Sequence, residues 1–184
     1  MTDLQLIEAC KRKESFAQRL LYERYVDKLF LLCLRYIPDA TNAEEVLSDS
    51  FMKCFNNIEK FEYAGDGSIR AWLSKIAVNE CLMFLRKKKA IYIPMDQEFH
   101  SNELKDVLSA INHLSIKETL SQIQKLPAGY RTVLNLYIFE EKTHKEIAGL
   151  LGISENTSKS QLFKARALLK QMLGALNEIK SNHS

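Results

Sequence analysis

The sequence predicts an all-α fold, two helical domains joined by a linker, with a helix-turn-helix as the second domain. Three observations carry this expectation. Only six glycines and three prolines interrupt 184 residues, so turns are few and helices long. Apolar residues recur at helical spacing over long segments, two of them opened by a Thr-x-x-Glu capping box. Charge is also unevenly spread: residues 1–90 are mildly basic, residues 91–115 carry one Lys against four acids, and residues 116–184 are basic again. That acidic middle holds Pro94 and no sustained stripe at its start, so it reads as a linker between domains 1–90 and 116–184.

Composition excludes several classes of function. No apolar run approaches the roughly 18 residues that span a bilayer. The first residues, "MTDLQLIEACKRKES", carry charges where a signal peptide has an apolar core, so a cytoplasmic protein without membrane insertion is expected. Cys10, Cys33, Cys54 and Cys81 form no C-x-x-C pair, and His100, His113, His144 and His183 are dispersed. Reduced thiols packed as small hydrophobes are expected, with no metal and no cofactor. Neither a nucleophile–base pair nor a phosphate-cradling loop is visible, since Gly65-Asp66-Gly67 signals only a turn; the chain does not read as an enzyme. A net charge of +3 is too small to argue for nucleic acid by itself, so the arrangement of charge matters more.

In the first domain, Leu4 to Tyr36 covers the opening helices. A stripe begins at Phe16, Leu20 and Leu21, continues through Leu29, Phe30 and Cys33, and Pro38 ends it. Thr41 with Glu44 makes a capping box for the next helix, whose Leu47, Phe51, Cys54, Phe55 and Ile58 share one face. The opposite face presents Glu44, Glu45, Ser48, Asp49 and Met52, either a solvated surface or one that docks onto a basic partner.

After the turn in "KFEYAGDGS", a helix runs from Ser68 to the basic cluster Arg86, Lys87, Lys88 and Lys89. Its buried stripe is Ile69, Trp72, Leu73, Ile76 and Met83, and its other face shows Lys75, Asn79 and Arg86. Cations suit a helix C-terminus without any ligand. With Phe61 and Tyr63 in the adjoining loop, however, the region supplies rings for stacking and charge for phosphates, the needs of single-stranded nucleic acid.

The second domain begins with Ile116 to Leu126, stopped by Pro127, and continues with a helix burying Val133, Leu134, Tyr137 and Ile138. Thr143 with Glu146 forms the second capping box, Gly152 sits where the chain turns, and Ser154 caps the last helix. On that helix Leu162, Ala165 and Leu169 make an apolar stripe, with Ser158 on the same side. The outer face offers Asn156, Lys159, Ser160, Phe163 and Lys164, with Gln161 and Arg166 on its flanks. A plain helical hairpin has no chemical preference there, whereas this face holds three cations and no acid from Asn156 to Arg166. Cations attract phosphates and amides read base edges, so the pattern is that of a DNA-reading helix-turn-helix.

These stretches resemble a known family, the bacterial sigma factors of RNA polymerase of the small two-domain extracytoplasmic-function type. "THKEIAGLLGISENTSKSQLFKARALL" is similar to their region four, "NAEEVLSDSFMKCFNNIEKF" to region 2.2, and "SIRAWLSKIAVNECLMFLRKKK" to regions 2.3 and 2.4. The resemblance implies promoter-specific initiation with core RNA polymerase and promoter DNA as partners, and an anti-sigma factor as restraint. By the same resemblance, Glu45, Ser48, Asp49 and Met52 face the clamp helices of the largest polymerase subunit. Phe61, Tyr63, Lys75 and Asn79, with Arg86 in line, take the unpaired minus-ten strand. Asn156, Lys159, Ser160, Gln161, Phe163, Lys164 and Arg166 read the minus-thirty-five duplex. The linker threads toward the RNA exit path. Four residues depart from the family pattern: Ser48 stands for Gln, Asn156 for Gly, Ser158 for Val and Gln161 for Arg.

Overall fold

A computed structural model describes residues 1–88 and 115–181; most of the expected linker lies outside them. The chain divides into two compact units, Met1–Lys88 and Lys89–Ser184. The described residues are helical and contain no strand.

The first unit holds α1 (Asp3–Lys11), α2 (Ser15–Tyr36), α3 (Ala40–Asn57) with a short 3-10 turn at Ile58–Lys60, and α4 (Ser68–Lys87). Helices α2, α3 and α4 pack pairwise on one another, and α1 lies against α2 and the 3-10 turn. Leu6, Ile7, Leu21, Tyr36, Ile58, Ile69, Leu73 and Leu82 are fully enclosed. Each such aliphatic side chain contributes about 1.5–3 kcal/mol through removal from water. All four cysteines are buried, one on each helix. Desolvation pushes the Cys10 thiol up to about 11 and the Cys54 thiol up to about 12, so both stay protonated.

The opening helices are α1 and α2: Lys13 takes a left-handed backbone (φ 61°) and closes α1 with Glu14 N donating to Ala9 O. Two expectations for this unit are corrected. Phe16 is 70% exposed; the core register passes instead through Ala17, Leu21, Tyr25, Leu29, Leu32 and Cys33, one helical step to the side. The cap of α3 is Asp39 rather than Thr41: its carboxylate accepts from Asn42 N at 2.8 Å, and Pro38 just before it sets the chain entry.

The second unit is α5 (Ile116–Lys125), α6 (Ala128–Ile138), α7 (His144–Leu151) and α8 (Glu155–Ser181). Helix α8 packs against the other three. Ser115 and Glu118 cap α5 reciprocally, a box that sequence reading passed over. Arg131 on α6 is buried and donates from Nη1 to Leu126 O (2.7 Å) and Gln124 O (3.1 Å), satisfying carbonyls at the α5 C-terminus. Burial lowers its pKa from the ordinary arginine value.

Candidate nucleic-acid interface

The helix-turn-helix of α7 and α8 forms where local chemistry calls for it. Thr143 Oγ1 accepts from Glu146 N, and the Glu146 carboxylate accepts in return from Thr143 N at 2.8 Å. The Thr143 N–H, and then the Thr143 hydroxyl, donate to that carboxylate and hold the Glu146 pKa below its ordinary value. Gly152 takes φ 68°, a left-handed conformation that a side chain would strain, and Ser154 Oγ then accepts from Thr157 N to start α8.

On α8, Asn156 and Lys159 are exposed and Phe163 and Lys164 half-buried. The other three candidates are corrected: Ser160 is 2%, Gln161 1% and Arg166 8% exposed. Because α5, α6 and α7 surround α8, its covered arc is wider than a single stripe. Gln161 lies one turn before Ala165 and Arg166 one turn after Leu162, so both fall inside the arc. Ser160 Oγ donates back to Thr157 O at 3.1 Å. The Arg166 guanidinium sits 5.3 Å from the Tyr137 ring centre and is hydrogen-bonded to Tyr137; burial nonetheless lowers its pKa.

Gln161 keeps both Nε2 and Oε1 buried with no protein partner. Replacing such an amide by an apolar group of similar shape removes the desolvation penalty, so Gln161→Leu stabilises the unit by about 1 kcal/mol. Urea unfolding checks this, and a changed base preference in the variant would show instead that the amide reads DNA.

A polar contact that sequence reading missed joins the three helices. His144 Nδ1 shares a 2.9 Å hydrogen bond with Ser158 Oγ, and the His144 ring stacks on Tyr137 at 4.8 Å. Ser158, a buried hydroxyl beside the apolar stripe of α8, is thus matched by a histidine from α7. Burial, then the charges of Lys159 and Arg166, lower the His144 pKa, with Glu155 opposing. The folded chain therefore protonates His144 at a lower pH than the unfolded chain, which gains the proton around the ordinary value of 6.5. The sign follows: this stabilisation is full above 6.5 and is lost as pH falls below it. The melting temperature of the second unit should decline over that window, and His144→Gln should flatten the decline. An unchanged slope in the variant would exclude His144 as its source.

In the first unit, Lys75, Asn79 and Arg86 are exposed along α4. Phe61 is not an open platform: it is 7% exposed and packs 5.0 Å from the Trp72 ring. Tyr63 is half-buried and donates to Asp66 Oδ1 at 2.7 Å, a bond that raises its pKa and braces the turn. Gly65 and Gly67 there have φ of 99° and 83°, and Ser68 Oγ donates to Gly65 O. Met83, expected in the buried stripe, is 52% exposed. On α3, Glu45, Ser48, Asp49 and Met52 are all exposed, as the strip required. The Ser48 hydroxyl donates to Glu44 O of its own helix at 2.9 Å.

Comparison with known proteins assigns these units. Residues 21–91 match the family model for sigma-70 region 2, and residues 116–169 match sigma-70 region 4. The chain is 30% identical over 153 residues to the ECF RNA polymerase sigma factor SigM of Bacillus subtilis, covering 83% of this chain and 92% of that protein. It is 31% identical over 185 residues to the RNA polymerase sigma-H factor of Pseudomonas aeruginosa, covering 95% of each. Its fold is similar to a chain in the solved complex of CnrH with the cytosolic domain of CnrY, with a TM-score of 0.51, 21% identity, and coverage of 94% and 97%. With both region models matched in order and full-length relatives at this identity, the chain belongs to the extracytoplasmic-function sigma factors of RNA polymerase, in the sigma-70 family.

Proposed function

We propose that the two units divide promoter engagement between them in the cytoplasm. The α3 strip of Glu45, Ser48, Asp49 and Met52 docks onto core RNA polymerase. The exposed α4 face, with Lys75, Asn79 and Arg86 beside the Tyr63 loop, takes the unpaired minus-ten strand. Phe61 supports that loop from beneath by packing on Trp72. The outer face of α8, reduced to Asn156, Lys159, Phe163 and Lys164, reads the minus-thirty-five duplex, while Ser160 and Gln161 lie on its covered side and Arg166 ties it to Tyr137 of α6. Residues 91–115 act as the acidic tether, and an anti-sigma protein restrains the factor by covering these faces.

The observation that carries this reading is the separation of chemistry on the surface. Carboxylates and a methionine occupy one exposed face of α3, while cations and amides occupy exposed faces of α4 and α8. A carboxylate-lined strip suits a basic protein surface, and cationic faces suit phosphates. Transcription from a promoter library by core polymerase plus this chain tests it directly. Specific start sites that depend on the added chain are the expected result, and failure to assemble with core polymerase would overturn it.

A further inference from the structure

The α4 face has a member that sequence reading assigned to the core. Lys75, Asn79, Met83 and Arg86 follow one another at four-, four- and three-residue steps, so they line one side of the helix, and all four are exposed. Each four-residue step advances about 6 Å along the axis. Stacked DNA rises about 3.4 Å per nucleotide in each strand, so neighbouring nucleotides meet neighbouring positions on this line only when the strand is unstacked and drawn out.

Met83 is also braced. Lys53 of α3 places Nζ 2.6 Å from Glu80 Oε1 and 3.8 Å from Met83 Sδ. The Glu80 side chain is 10% exposed, whereas that of Lys53 is 48% exposed. The buried carboxylate therefore fixes a cation that still faces solvent, alongside an exposed thioether.

We propose that Met83 is a further nucleotide contact on this face: its thioether packs on the base next to the one held at Asn79, and Lys53, positioned by Glu80, meets the adjoining phosphate. The occupant is unpaired DNA because the line is flanked by the cations Lys75 and Arg86, and because its spacing matches an extended strand. A flexible, polarizable side chain packs against any base face, so Met83 contributes affinity for the open strand. This inference rests on the assignment of α4 to the melted strand.

The test uses the full chain assembled with core polymerase. Its probe is a forked fragment of a promoter recovered from the library, with the non-template minus-ten strand unpaired. Met83→Ala is expected to weaken binding to the fork by roughly 5-fold, with Met83→Leu restoring most of it and core assembly unchanged. Lys53→Gln should lower the salt dependence of fork binding by about 0.7 in the log–log slope. A p-benzoylphenylalanine at position 83 should cross-link to the unpaired strand. If Asn79→Ala weakens the fork complex and Met83→Ala does not, Met83 is no contact and the inference falls alone. If neither variant matters, the strand-face assignment itself falls. Loss of core assembly in Met83→Ala, or cross-linking only to a polymerase subunit, would place this residue in the polymerase interface and overturn the proposal.

Discussion

Lys159→Glu is expected to reduce the affinity of the polymerase–sigma complex for minus-thirty-five duplex DNA on the order of 100-fold, which is about 2.7 kcal/mol. Lys159 stands exposed in the second turn of α8, on the same outer surface as Asn156. A lysine at a phosphate contributes attraction that is independent of sequence, and an acid there replaces it with repulsion from the whole strand. The loss should therefore appear across all promoters alike, while core assembly and binding to forked minus-ten DNA persist. Filter binding across a salt series separates these cases, and equal loss of core assembly would refute the division of labour between the units. The same variant carries an internal control. The Lys159 charge helps keep the His144 pKa low, so its reversal should raise that pKa, observable by NMR titration of the ring.

Arg131→Ala should destabilise the second unit by about 3 kcal/mol, since a buried residue with charged hydrogen bonds is lost and the carbonyls it served are left wanting. Leu126 O and Gln124 O close the C-terminal end of α5, and both accept from Arg131 Nη1. Without that donor, α5 loses its attachment to α6, and the recognition helix loses one of the three helices around it. The chain contains a single tryptophan, Trp72, which lies in the first unit. Urea unfolding followed by far-ultraviolet circular dichroism should thus show an early transition in the variant, with the Trp72 fluorescence transition in place. A shift of both transitions together would mean that the two units unfold as one.

What the sequence made legible was local. Thr143, Glu146, Gly152 and Ser154 define the helix-turn-helix through bonds spanning a few residues, and each adopts the conformation its chemistry implies. The α3 strip was equally readable, because four exposed polar or flexible positions oppose one apolar stripe. Errors arose where exposure depends on how many neighbours a helix has. Gln161 and Arg166 look like surface residues on a helix with one partner, but α8 has three. Phe61 looks like a free ring in a loop until Trp72, eleven positions on, meets it. Met83 fits the period of a buried stripe, yet faces the same way as Asn79. The His144–Ser158 bond joins residues fourteen apart across a turn, and no pattern within either helix announces it.

The placement of the four cysteines has a practical consequence for following this protein as it works. Each is 0% exposed, and Cys10 and Cys54 are held far from the thiolate that alkylating reagents need. A fifth cysteine introduced at an exposed position away from the docking strip, such as Lys170 on α8, would then be the one that takes a maleimide dye in the folded chain. Single-molecule fluorescence could use such a chain to time arrival on polymerase and departure from it, with the native cysteines left untouched.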